Sequence, residues 1–362
     1  MSPTRTNQKK YVAAWIALVA VIGATLFANK ADSFNTVKAN ESTSSIYNEG
    51  IYDSVYYDVD RDDVQRTQFG VYYDGEYYDC LGGLDSLLDG TYSGQDIKEG
   101  LRALIGYQSI GNGDGTYVAA FGKNIVGTDE KHPRYKGTKP ESLADVWQLS
   151  ERSENDEMPE GAFRLFYANN YGTSLGDYSG KVNREHVWPQ SLSGGLFGTS
   201  GAGADGHHIR PCNQSLNGFR SNKRYGDLEE RDIEYTAFIS SKDAKNYNVL
   251  HDYYTEEYIR NSYKGEITGY SSDDVFEPTD EYKGDIARII AYMALHYESL
   301  EDIVDNVMVD GYETIIEWNE LDPVDSYETN RNNVIADFQG NRNPFIDAPE
   351  LVNVVFGDKG TN

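Results

Sequence analysis

Hydrophobic positions divide this chain into three regimes. An uninterrupted apolar run, YVAAWIALVAVIGATLFA (11–28), follows the basic opening MSPTRTNQKK. Residues 32–79 are polar and then rich in Tyr and Asp, ending in DGEYYD. From LDSLLDGTYSGQDIKEGLRALIG (84–106) onward the pattern is that of a packed domain. Apolar residues recur there at helical spacing and predict a helix over 96–105, because side chains three and four apart share one helix face. In GDIARIIAYMALHYESL (284–300), Ile286, Ile289, Ile290, Met293 and Leu295 predict a core helix. FRLFYANN (163–170) reads as a buried strand. GNGDGTY (111–117) leads into the strand-like YVAAFG. It is a turn, since a phosphate-cradling loop follows a strand and opens a helix. With no internal repeat, the economical reading is one α+β domain over residues 80–357.

The basic opening and apolar run make residues 1–31 a signal peptide or an N-terminal signal anchor. At about 18 residues the run is long for a cleaved signal and barely long enough to span a bilayer. Export follows either way, with a membrane reached only if residues 11–28 are retained. Residues 32–79 form a lead-in or linker. Within it DVDRDD (58–63) imitates a calcium loop, but Asp63 stands at the glycine position and Phe69 at the final glutamate position, so it reads as a solvated acidic turn. Cys80 and Cys212 are the only cysteines, enough for one disulfide in an exported chain and too few for a cysteine-built zinc module.

Composition changes this picture in one respect. Hydrophobic residues at 39% and charged residues at 25% suit a packed core, but the net charge of −27 opposes binding to a polyanion. The distribution is uneven. Between Lys181 and Asp227, the cations Lys181, Arg184, Arg210, Arg220, Lys223 and Arg224 face only Glu185, Asp205 and Asp227.

That window holds the candidate chemistry, in KVNREHVWPQS (181–191) and DGHHIRPCNQSLNGFRSNKRYGD (205–227). Hydrolysis of a phosphodiester needs a base near neutral pH, a cation at the reacting phosphate, and a grip on that phosphate. His186 suits the base. Glu185 and Asn217 are oxygen ligands suited to Mg²⁺, which is held by few protein groups and keeps several waters. If NQSLNGFRSN is a helix capped near Asn213, then Asn213, Asn217, Arg220 and Ser221 share a face. Adjacent strand residues point to opposite sides, so Glu185 and His186 require a strand that ends or bulges there, which Pro189 favours.

NREHVWPQS followed by HHIRPCNQSLNGFRSN resembles the bacterial endonuclease I family, and the likeness continues in KGDIARIIAYMALHYE (283–298) and FQGNRNPFIDAPELV (338–352). The resemblance implies a ββα-metal (His-Me finger) core inside a larger mixed domain with core helices. It implies a secreted, sequence-nonspecific endonuclease for DNA, extending to RNA, with His186 as general base and Mg²⁺ on Glu185 and Asn217, Mn²⁺ being able to substitute. The substrate is met through its phosphate backbone by a monomer. The segment that reads Asp-x-His-Asn-Leu-x-Pro in relatives is Asp205-Gly206-His207-His208-Ile209-Arg210-Pro211 here. His207, His208, Asn213 and Ser221 are supporting residues. Where some members carry a phosphate-binding arginine, this chain has SLSGGLFGTSGAGA (191–204), so the clamp falls to Arg184, Arg210 or Arg220. Two other readings stay open: a zinc hydrolase built on His186, His207 and His208, and an exported acidic binding protein on an inactive nuclease domain.

Overall fold

The computed structural model describes residues 78, 81–106, 149, 153–154, 158, 162–168, 170–172, 182–197, 201–240, 245–339 and 341–360. The N-terminal apolar run, the DVDRDD and GNGDGTY turns and Cys80 lie outside them, as does all of the 32–79 lead-in but Tyr78.

Helix α1 (Gly94–Gly106) covers the helix predicted over 96–105. Helix α2 (Gln214–Arg220) is short. Helix α3 (Lys283–His296) is the axis of the core, with all of its residues buried. Its apolar residues predict a core helix, and α1 and α4 (Tyr312–Leu321) pack against it. The predicted helix ran to residue 300. The chain instead leaves helical geometry at Tyr297 (φ −109°, ψ 89°) and starts a separate short helix at Glu298.

Burial all round forces the charged residues of α3 into pairs, because an unpaired buried ion is far too costly. Lys283 Nζ reaches Asp227 at 2.7 Å and Glu277 at 2.8 Å. Arg288 grips both oxygens of Glu328, on helix α5 (Ser326–Gln339), at 2.9 and 2.5 Å.

Among the described residues the strands form three sheets, so the fold is mixed α+β as expected. β1 (Phe163–Leu165) and β2 (Asn170–Gly172) make a small antiparallel pair. β3 (Val182–His186) pairs antiparallel with β4 (Ile209–Asn213). β5 (Arg224–Tyr225), β6 (Tyr235–Ser240), β7 (Lys245–Leu250), β8 (Gly265–Ser271) and β9 (Val275–Pro278) form a five-stranded sheet in the order β5-β9-β8-β6-β7. The buried strand predicted for 163–170 is realised only at its start. Phe166 makes one bridge to Cys212 of β4, and the chain turns at Tyr167, whose φ is 65°.

Candidate active site

β3, β4 and α2 follow a strand–strand–helix order, and the predicted site residues converge on this unit. β3 pairs in unbroken register to His186↔Ile209, without the bulge considered from sequence. It does end at His186, and Pro189 stands three residues on. Alternation therefore holds: Glu185 is 2% exposed, whereas His186 on the opposite side is half-buried.

Glu185 lies in a polar pocket with aromatic walls. Its Oε1 accepts the Tyr167 hydroxyl at 2.7 Å and meets Arg220 Nη1 at 3.2 Å. No hydrogen bond from the described residues reaches Oε2. Burial pushes the carboxyl above its usual range, while Arg220 and the Tyr167 hydroxyl pull it down.

His186 Nε2 is 3.1 Å from the carbonyl of Gly203. A carbonyl only accepts, so in the neutral ring Nε2 carries the hydrogen and Nδ1 is the acceptor. Phe197 stacks on the ring, with centroids 6.1 Å apart. Burial holds the imidazole below its ordinary range; Arg184 and Arg220 add to this and the Gly203 carbonyl opposes it. At neutral pH it is an unprotonated base with a fixed tautomer.

α2 is capped as predicted: Asn213 Oδ1 accepts from the backbone N–H groups of Ser215 at 3.0 Å and Leu216 at 3.2 Å. One turn on, Asn217 Nδ2 donates to Arg184 O at 3.1 Å, which leaves its Oδ1 as the outward acceptor beside β3. Ser221 is the C-cap, at φ 57°, with its N–H on Asn217 O. Its role is to end the helix.

Two of the three candidate clamps are displaced from that role. Arg210 is 2% exposed, forks Glu154 at 2.5 and 3.2 Å, meets Asp285 at 3.1 Å and stacks on Phe166. Arg220, 1% exposed, donates to the carbonyls of His186 (3.2 Å) and Val187 (2.5 Å) and lies over Tyr225. Both guanidiniums are spent inside the protein, because their chain neighbours bury them against carboxylates and carbonyls. Arg184 alone of the three is exposed.

His207 and His208 support the frame. His208 accepts the Trp188 N–H at Nε2 (3.0 Å) and donates from Nδ1 to Ala202 O (3.1 Å); burial lowers it to about 3. His207 Nε2 bonds Asn341 O at 2.9 Å, and burial lowers it to about 4. The zinc reading loses His208, whose two ring nitrogens are both on backbone groups, and no group of three His, Cys, Asp or Glu able to hold a metal occurs among the described residues. Cys212 is a free, buried thiol facing Phe166 O at 3.5 Å. Trp188 is core, its Nε1 on Leu192 O.

Sequence reasoning missed the residues beneath the site. Tyr167, Tyr225 and the carboxylates Glu154 and Asp285, which hold the candidate Arg210, lie beneath it, and Arg331 adds bonds to Glu154, Gly206 O and Ile209 O. The only signal for Tyr167 was the aromatic run FRLFY, and Tyr225, in SNKRYGD, had none.

A base with a fixed tautomer at the end of β3, a carboxylate next to it in the chain on the other face of the strand, and an amide oxygen on the adjoining helix are groups that a hydrolase can use. The comparisons define it further: the Endonuclease I family model matches residues 93–350, and the chain belongs to that family, a family of nucleases. The extracellular ribonuclease of Bacillus subtilis (strain 168) is 34% identical over 230 residues, 59% of this chain and 68% of that protein. The extracellular ribonuclease of Bacillus amyloliquefaciens is 34% identical over 262 residues, 66% and 77% respectively.

Proposed function

We propose that this protein is an exported, sequence-nonspecific endonuclease that cleaves RNA and DNA with the help of a divalent cation. The observation that carries the reading is the His186 geometry, in which the Gly203 carbonyl claims Nε2 and leaves Nδ1 as the acceptor. Nδ1 takes the proton from the attacking water, and the Nε2–H bond to Gly203 steadies the resulting imidazolium. The exposed Arg184 meets substrate phosphate. Phosphate contacts carry no base information, which fits a nonspecific enzyme. RNA as a substrate and export are supported by the names of the two relatives, both extracellular ribonucleases, and export also by the basic-then-apolar opening.

The donor set fits a hard cation such as Mg²⁺ or Mn²⁺. Glu185 Oε2 and Asn217 Oδ1 both lack partners among the described residues, and both are hard oxygens on adjoining elements. These two residues would hold the ion, with the β3–β4 pair and α2 as the ββα-metal core. When bound, a divalent cation offsets charge on the reacting phosphate and the departing oxygen. The test is incubation of the purified protein with RNA and with supercoiled plasmid, each with Mg²⁺ or EDTA. Cleavage of both with Mg²⁺ alone is expected. Undiminished cleavage in EDTA would remove the cation, and intact substrates in Mg²⁺ would leave an inactive nuclease fold.

A further inference from the structure

We infer that Tyr167 is a positioning residue for the cation site, its hydroxyl fixing the Glu185 carboxylate so that Oε2 remains the ligand oxygen. The inference rests on the reading of Glu185 as a ligand. The one hydrogen bond this carboxylate accepts, from Tyr167 Oη at 2.7 Å, falls on Oε1, and so does its ion pair with Arg220 Nη1 at 3.2 Å. A directed hydrogen bond and an ion pair on the same oxygen set the rotation of the group and leave the other oxygen turned out of the contact.

The surrounding structure is built to hold the Tyr167 hydroxyl in that place. Its φ of 65° lies in the left-handed region, which a bulky side chain seldom occupies unless its surroundings enforce it. The turn is pinned to β4 by the Phe166 N–H on Pro211 O at 2.8 Å and the Phe166–Cys212 bridge. The Tyr167 ring packs on Phe166 and edge-on to Phe276, with centroids at 4.4 and 5.3 Å. With its own proton on Glu185, the Tyr167 hydroxyl is the acceptor in its 2.5 Å contact with the Tyr225 hydroxyl, whose single proton has Val187 O at 2.9 Å as its other acceptor. A buried tyrosine hydroxyl must find partners, and Tyr167 finds its acceptor in the carboxylate proposed as the ligand. Groups that hydrogen-bond a metal ligand tune affinity strongly, and their loss costs about 10–100-fold.

The test is Tyr167→Phe in the full chain, which keeps the ring and removes the hydroxyl. Mn²⁺ titration followed by electron paramagnetic resonance should show Kd raised about tenfold or more. Turnover should return toward wild type as Mg²⁺ is raised, and the far-ultraviolet circular dichroism should be unchanged. Glu185→Ala is run beside it. If Glu185→Ala loses Mn²⁺ while Tyr167→Phe binds like wild type, the positioning role is overturned and the ligand reading stands. If Glu185→Ala also binds like wild type, the ligand reading fails and takes the inference with it. Should Tyr167→Phe not fold, Tyr225→Phe unbraces the Tyr167 hydroxyl without touching Glu185. A smaller rise in Kd is expected there, and an unchanged Kd would overturn the proposal.

Discussion

In the proposed role of base, His186 can act only while Nδ1 is unprotonated, and burial favours that state by lowering its pKa from the ordinary value. The sign is direct: a lowered pKa keeps the ring neutral to lower pH. The rate should therefore rise with pH along a limb centred below about 6.5. His186→Ala should lose that limb and about 10²–10⁴ of the turnover while still binding Mn²⁺. A limb centred well above that value, read from a pH series of cleavage rates, would contradict the assignment. The arginines divide at the same scale. Arg220→Ala strands Glu185 in a buried pocket and should cost about 3–5 kcal/mol in urea unfolding. Arg184→Ala, at an exposed position, should leave stability within roughly 0.5 kcal/mol and weaken substrate binding instead. A gel-shift measurement beside the unfolding curve separates them. The sequence displays arginines without displaying their burial, which is why all three were equal candidates. Tyr167 was illegible for a related reason, since it acts through a backbone angle that no local residue pattern announces.

Between elements, the junction where the β3–β4 loop meets the end of α3 is sealed by imidazoles. His207 and His208 come from the loop and His296 from α3, and burial lowers them to about 4, about 3 and about 4. Each stays neutral in the fold but charges in the unfolded chain below about 6.5, so each withdraws stability as pH falls from there toward its folded value. Asp322, raised to about 6, and Glu328, also raised, both with burial as the largest cause, act in the opposite sense. The imidazoles outweigh them between pH 6 and 4.5, where all three would charge on unfolding, so stability should fall across that window. Urea midpoints at pH 7, 6 and 4.5 test this, and a flat series would mean that the histidines are not buried neutral. Elements with aliphatic periodicity, such as α1 and α3, were legible in the sequence, as was the Asn213 cap. The five-stranded sheet was not, because strands such as KNYNVL carry few aliphatic residues and stand half-exposed at an edge. The 163–170 strand was overcalled because its apolar run continues through a turn.

For the molecule as a whole, a −27 body must approach a polyanion, and the structure narrows the positive surface that makes this possible. Of the six cations counted in 181–227, Arg210 and Arg220 are buried against carboxylates. Among the described residues that leaves Arg184 exposed and Lys223 and Arg224 half-buried, with Lys181 outside them. Each phosphate contact releases counterions, so the slope of log affinity against log salt reports how many are made. Three or four contacts predict a slope of about −3 to −4 on duplex DNA, where six would give about −5 or steeper. The acidic body shallows it further, since added salt also screens repulsion. The measurement is binding of duplex DNA by His186→Ala, which holds substrate without turning it over, across a monovalent salt series at fixed Mg²⁺. A slope near that for six contacts would mean that Arg210 and Arg220 reach phosphate after all, and a slope of zero would mean that the local patch plays no part. Arg184→Ala should flatten the line by about one unit, whereas a cation on the far side of the molecule should leave the slope unchanged.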